Sequence, residues 1–513
     1  MARSLVIYLA SIVVLGGVWL ATVIGVAADT DARVADVGTL PRSSPESQGV
    51  SSQAIRAFVH AADQQIAVMN SVMLVRHGRV IAEGWWAPYD AATRHELYSL
   101  SKSFTSMAVG MAIAEGKLSV DDEVLKFFPE SAPAEPSRNL QSMRVRDLLC
   151  MSTGHQTEPR LPASDQPWVK TFLTHDVPHK PGAHFMYNTP ATYMLSAIVQ
   201  KQTGEKVLDF LRPRLFDPLG IDDPNWGSCP SGITLGGYGL NVRTEDIARF
   251  GQLCLQQGQW NGKQLLPAEW VSQATSRQVS NGSNPKSDWD QGYGFQFWRC
   301  RHDCFRGDGA FGQYCIVMPK QHAVLAITSG VKDMEAVLNL VWEKLLPAFK
   351  DEALPEDAAA EKQLRTALAA LVLPVPKGEA TAKNSAAVDG RRYEIKANDL
   401  GLESIAMESS GPPGQVTLVT RSNGKEQRLV CGHEQWIKGR WSWGNQREQA
   451  VAASGAWTDP ETFTARIYQV ETPFSLTVRM KFAERDVTVE SEWNVGFGPN
   501  TRLALKGSQA VRQ

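Results

Sequence analysis

Serine and lysine three residues apart occur four times in this chain, at Ser99/Lys102, Ser283/Lys286, Ser329/Lys332 and Ser422/Lys425. On a helix such residues are neighbours. A partly desolvated lysine can then take the proton from a serine hydroxyl that is otherwise almost unreactive at neutral pH. Spacing alone selects none of the four, but the surroundings do. Pro285, Gly330 and Gly424 interrupt three of the pairs, whereas Ser99 opens a run in which Phe104, Met107, Ala108, Met111 and Glu115 share one helical stripe, with Gly116 as a stop. A serine at the start of a helix gains from the dipole and from free backbone N–H groups able to hold an oxyanion. The competing reading of this stretch is an ordinary helix-capping Ser99 beside a solvated Lys102.

The elements that must position such a pair follow from hydrophobic periodicity. Ser71 to Val75 and Arg79 to Glu83 flank His77-Gly78 as a hairpin. Strands return late, at Gly292 to Trp298, Gly312 to Val317 and Ala323 to Ile327, before a helix with Met334, Val337, Leu338, Val341 and Leu345 on one face. Between about Leu97 and Leu266 the pattern is helical or looped. One antiparallel sheet built from both ends of the segment, beside a helical lobe, accounts for this arrangement, and the cleft between them is the expected binding place. An Ala/Glu/Pro-rich stretch from Asp351 to Asp389, helical at Glu361 to Leu371, reads as a linker. Beyond it Leu476, Val478, Met480 and Phe482 alternate with polar residues, as do Val487 and Val489, which predicts a small sandwich or barrel.

Composition bounds the function. The 513 residues carry 52 Lys+Arg against 54 Asp+Glu, a net charge of -2, with 43% hydrophobic residues. That excludes a disordered chain, a multispan membrane protein and the basic footprint of a nucleic-acid binder. Arg3 precedes an uncharged run from Ser4 to Ala28 ending in Val26-Ala27-Ala28, which reads as a signal peptide or, if uncleaved, a membrane anchor. Either places the body in the periplasm or outside the cell. Of seven cysteines, Cys300 and Cys304 flank a short turn and are either bridged or buried thiols. His175, His179 and His184 lie close together, but Pro178 and Pro181 make that stretch a loop, and no metal or other cofactor is expected. Arg306-Gly307-Asp308 spells an adhesion tripeptide whose neighbours favour a local role.

The chain resembles the serine β-lactamase-like hydrolases, which include class C β-lactamases, D-aminopeptidases, esterases and 6-aminohexanoate-oligomer hydrolases. The resemblance runs from about Pro45 to Pro347 and rests on LYSLSKSFTSMAVGMAIAEGKLSVDDEV from Leu97, VRDLLCMSTG from Val145, PGAHFMYNTPATYMLSAIVQKQTG from Pro181, GGYGLNVRTEDIARFGQLCLQQGQWNGKQLLP from Gly236, and RGDGAFGQYCIVMP from Arg306. It implies Ser99 as the acylated nucleophile, Lys102 as its activating partner and Tyr187 as a phenol acting as base. The implied oxyanion hole is the Ser99 N–H with that of Ala310. Two departures stand out. Tyr187 is followed by Asn188 and Thr189, so the amide of the usual Tyr-x-Asn is one place early, although Asn188 can still reach toward substrate. The third motif, usually Lys or His, a small residue and Gly, becomes Gly307-Asp308-Gly309 and lacks its cation, with Arg306 the adjacent substitute and Asp308 disfavouring anionic groups.

The expectation is an α+β chain with a β-lactamase/transpeptidase-like antiparallel sheet, terminal helices and a helical lobe, followed by a small all-β domain. Its divisions are a leader over 1–28, a hydrolase domain over 45–349, a linker over 351–389 and a β-rich domain over 390–508. The expected function is an exported serine hydrolase cleaving a small-molecule ester or amide through a Ser99 acyl-enzyme. The alternatives are a catalytically weak binding or scaffold protein of the same fold and a true β-lactamase or penicillin-binding protein, which the missing cation disfavours.

Overall fold

The polypeptide turns back on itself at His77-Gly78, where φ of 50° and 74° place both residues in the left-handed region that a tight hairpin between twisted strands requires. In the computed structural model, which describes residues 39–162, 166–383, 385–409, 411–498 and 502–509, this turn joins β1 (Met69–Arg76) to β2 (Arg79–Trp85). The proposed leader lies outside the described residues. Helix α1 (Ser52–Gln65) precedes the hairpin, and α2 (Ser101–Ala114), α3 (Thr189–Thr203) and α4 (Thr244–Leu255) follow within the helical lobe. The chain then returns through β3 (Trp298–Arg299), β4 (Phe305–Gly309), β5 (Gln313–Met318) and β6 (Ala323–Ser329), and α5 (Met334–Leu340) closes the segment.

The six strands form one sheet in the order β2-β1-β6-β5-β4-β3. Antiparallel pairing of β1 with β6, Val72 opposite Ile327, is the junction of the two chain ends that the sequence predicts. Side chains alternate between two cores: Met73, Val75, Cys315 and Val317 meet the helical lobe, and Val72, Leu74, Tyr314 and Ile316 meet α1 and α5. The expected strand over Gly292 to Trp298 is reduced to its last residue. Gln296 adopts φ 67° and turns its side chain inward, donating to the carbonyls of Leu148 and Leu149 and accepting from Thr192 Oγ1, while its carbonyl accepts from Ser103. A β ladder through Gln296 would forgo those buried bonds.

The stretch read as a linker contains helix α6 (Ala358–Ala369), whose Leu364 and Leu368 are buried in the core that α1 shares. Beyond it ten strands close a barrel: β7 (Arg392–Ile395), β8 (Leu402–Glu408), β9 (Gln415–Ser422), β10 (Lys425–Gly432), β11 (Ile437–Trp441), β12 (Gln449–Asp459), β13 (Thr462–Gln469), β14 (Ser475–Ala483), β15 (Asp486–Trp493) and β16 (Leu503–Gln509). A bridge between Gly432 and Ser454 joins β10 to β12. Leu476, Val478, Met480 and Phe482 face its interior, as the period of two requires. Among the described residues no helix is long and apolar enough to cross a membrane.

Candidate active site

Ser99 sits half-buried in a single 3-10 turn, Tyr98–Leu100, that leads directly into α2. No side chain caps either helix start, so Ser99 is not a capping serine. Tyr98 enters the turn at φ 47°, an unfavourable conformation for an aromatic residue, of the kind that clusters at functional sites. One turn on, Lys102 is 1% exposed, which removes the solvated alternative.

Each donor of the Lys102 ammonium has a neutral acceptor: Ser99 Oγ at 3.1 Å, the Gly237 carbonyl at 2.8 Å and Thr189 Oγ1 at 3.4 Å. Gly237 is required because a Cβ there would lie 2.8 Å from Thr189 Cγ2 and close on Lys102. Burial without a bonded carboxylate lowers Lys102 to about 7, opposed only by the fields of Glu158 and Asp308. The neutral amine beside Ser99 is thereby made far more accessible near neutral pH than for a solvated lysine.

Tyr187 completes the cluster. The Lys102 ammonium lies over its ring, 5.0 Å from the centroid, and Ser99 is among the groups that act on its phenol. Burial, then the Asp308 carboxylate, push the phenol up despite the opposing effect of Ser99. Lys102 is thus brought toward neutrality and the Tyr187 phenol is pushed away from ionisation, two opposite effects of one buried site. Tyr187 stacks on Trp298, centroids 5.4 Å apart, with Phe185 and Tyr293 completing an aromatic wall.

The two glycines of the third motif have a steric cause. A Cβ on Gly309 would lie 1.9 Å from the Leu97 carbonyl oxygen, and one on Gly307 would lie 2.4 Å from Leu100 Cδ1 and 2.6 Å from Ser103 Oγ. Strand β4 can thus press against the turn that carries Ser99. This brings Ala310, the first residue after β4, to the same edge of the site.

Arg306 and Asp308 are paired, with Arg306 Nη2 left without a hydrogen-bond partner among the described residues. Arg306, fully buried, donates Nε to Asp308 Oδ2 at 2.8 Å and Nη1 to the Asp288 carbonyl at 2.9 Å and Cys300 Sγ at 3.2 Å, with its guanidinium over Trp289 and Trp298. Burial drives the Asp308 carboxyl up, opposed by Arg306 and Lys102. Asn188 is also fully buried: its Oδ1 accepts from Ala191 N–H as the cap of α3, and its Nδ2 donates to Thr153 Oγ1. These three side chains are thus engaged within the fold around the Ser99 cluster. Cys300 and Cys304 are unbridged thiols. Among the described residues no three His, Cys, Asp or Glu side chains converge on a metal position, and His179 packs edge-on against His184.

Sequence reasoning missed Glu158, Thr189, Gly237 and Gln296. Glu158 is exposed, accepts from the Thr189 N–H at 2.7 Å and lies within the electrostatic reach of Lys102 and Tyr187. Thr189, next to the Tyr187-Asn188 motif, and Gly237, inside the family-like stretch that begins GGYGLN at Gly236, carried a sequence signal; Glu158 and Gln296 carried none.

This sheet-and-lobe architecture, with a serine, a buried lysine and a phenol at its cleft, defines the class of β-lactamase-fold serine hydrolases. The chain belongs to the Beta-lactamase family, whose model matches residues 53–341. It is 24% identical over 286 residues to the 6-aminohexanoate-dimer hydrolase of Paenarthrobacter ureafaciens, covering 52% of this chain and 73% of that protein. It is 26% identical over 185 residues to the D-aminopeptidase of Brucella anthropi, covering 33% of this chain and only 35% of the relative. The octameric penicillin-binding protein homologue of Pyrococcus abyssi superposes with a TM-score of 0.47 at 14% identity, over 88% of this chain and 99% of that one.

Proposed function

We propose that the protein is an exported hydrolase that cleaves an ester or amide through an acyl-enzyme on Ser99. The observation that carries this reading is the fully buried Lys102, held by three neutral acceptors of which one is Ser99 Oγ at 3.1 Å. Neutral Lys102 takes the Ser99 proton as Oγ bonds to the acyl carbon. The carbonyl oxygen gains negative charge between the N–H groups of Ser99 and Ala310. Tyr187 hands its proton to the leaving oxygen or nitrogen as the scissile bond breaks and recovers one from Lys102. Water then attacks the acyl-enzyme by the reverse relay and frees Ser99.

The surroundings favour a neutral or amine-bearing substrate. Glu158 offers an exposed carboxylate, whereas the nearby cation Arg306 is already held by Asp308. A substrate carboxylate would therefore meet no cation at the third motif, and labelling by a fluorescent penicillin should be weak or absent. The reading is tested by incubation with a fluorophosphonate and peptide mapping. A single adduct on Ser99, lost in Ser99→Ala, is expected; folded protein without an adduct there would refute it. Export rests on the uncharged run Ser4 to Ala28 and is checked by fractionation of cells with N-terminal sequencing of the product.

A further inference from the structure

The residues on either side of the proposed oxyanion hole are aromatic, strained and covered from the barrel. Tyr98 precedes Ser99 at φ 47°, and Phe311 follows Ala310 at φ 67°. Their rings lie 5.8 Å apart. Phe474, just before β14, comes within 6.3 Å of Tyr98 and 5.6 Å of Phe311. Phe497, after β15, comes within 5.6 Å and 4.8 Å of the same two rings.

The backbone fixes this contact. The Glu96 N–H donates to the Glu471 carbonyl at 2.9 Å, and Asn494 Nδ2 donates to the Gly330 carbonyl at 3.0 Å, while the next N–H, of Val331, donates to the Phe311 carbonyl at 3.0 Å. Gly330 lies so close that a Cβ would sit 2.3 Å from the Pro473 carbonyl oxygen. The barrel is therefore seated on both segments that carry the oxyanion hole.

Next to this cluster lies a cavity of about 690 Å³, lined by Glu96 from the hydrolase side and by Trp443, Phe474 and Trp493 from the barrel. That size suits a small-molecule group. The Trp443 indole N–H is buried without an acceptor among the described residues. Phe497 is 76% exposed, although its ring belongs to the cluster. Its chain neighbours Gly496 and Gly498 line the cavity, whose wall combines Trp443, Phe474 and Trp493 with polar groups such as Arg447, so an exposed aromatic ring stands at the rim of a mixed pocket, as ligand surfaces do.

We propose that the barrel supplies a substrate subsite. Tyr98, Phe311, Phe474 and Phe497 form its mouth beside Ser99, and the cavity beyond Phe474 takes a neutral aryl or long alkyl group of the ester or amide. This deepens the hydrolase reading and rests on it for the identity of the ligand as substrate. It makes the barrel a specificity element rather than an appended module.

Binding can be measured without turnover. The full-length Ser99→Ala protein is titrated with the neutral fluorophore N-phenyl-1-naphthylamine, alone and with Phe497→Ala or Phe474→Ala added. Saturable binding that weakens about tenfold on loss of the Phe497 ring is expected, the scale of one aromatic contact. Phe497 is so exposed that its removal does not threaten folding, which makes it the decisive variant. In the active chain the same substitution should lower the ratio of kcat/KM for p-nitrophenyl octanoate over p-nitrophenyl acetate by about tenfold, mainly through KM. The subsite is overturned if the probe does not saturate Ser99→Ala, if it binds Phe497→Ala equally well, or if the chain-length ratio is unmoved. Probe binding that depends on Phe497 in a protein that hydrolyses neither ester would keep the subsite and refute only the hydrolase reading.

Discussion

Two cations are buried at this site, Lys102 at 1% exposure and Arg306 at 0%, and their partners send them in opposite directions. Lys102 meets only neutral acceptors, so desolvation brings it down to about 7, which is what the proposed relay requires of it. Arg306, whose guanidinium stays protonated in any case, has its charge compensated by the Asp308 carboxylate and serves as a clamp between β4 and the Trp289 and Trp298 rings. Burial alone does not make a catalytic group. A buried cation becomes reactive when no bonded carboxylate compensates for its desolvation.

The sharpest break of this comparison is Lys102→Met, which keeps volume and removes the amine. Hydrolysis of p-nitrophenyl acetate should fall by about 10³-fold or more in kcat/KM, the scale of losing a nucleophile's base. The midpoint of chemical denaturation should stay level or rise, because an unpaired buried amine has been removed. Arg306→Met should behave the other way round in stability, losing about 3–5 kcal/mol by leaving Asp308 buried and uncompensated. The double variant Arg306→Met/Asp308→Leu should regain most of that loss in the same denaturation experiment.

Smaller effects sharpen the electrostatics. Lys102 titrates lower in the folded chain than its ordinary value, so the active neutral form grows as pH rises; kcat/KM should climb about tenfold per unit below pH 7 and level off above it. The pH profile of acetate hydrolysis reads this limb directly. Glu158→Gln removes a carboxylate that raises Lys102, so the limb should move to lower pH by a few tenths of a unit, with little change in plateau rate. A shift to higher pH would put Glu158 outside the field of Lys102.

What was legible in the sequence followed from local periodicity and short spacing. Ser99, Lys102 and the stripe through Phe104 and Met107 lie within one helix and its leading turn, so neighbourhood in the chain is neighbourhood in space. The strands of Leu476 and Val487 carry the period of two, and the hairpin was legible from two apolar runs on either side of His77-Gly78. Gly237 lay in a recognisable stretch, but its acceptance from Lys102 across 135 positions was not legible, nor was Gln296, which ties three segments together, because these contacts are distant in the chain and mostly through backbone carbonyls. The same holds for Phe474 and Phe497, whose rings reach Tyr98 only because the barrel is seated there. The linker reading followed from an Ala-rich composition that resembles a spacer until Leu364 and Leu368 find the α1 core.

The central claim is that a neutral Lys102 amine activates Ser99. It is tested most directly by the rate of fluorophosphonate labelling of Ser99, followed by mass spectrometry from pH 5 to pH 9. The account predicts one adduct, on Ser99, forming at a rate that rises to a plateau with its midpoint near pH 7. A rate still rising at pH 9, as for a lysine of ordinary basicity, or no adduct on Ser99 in folded protein, would contradict it.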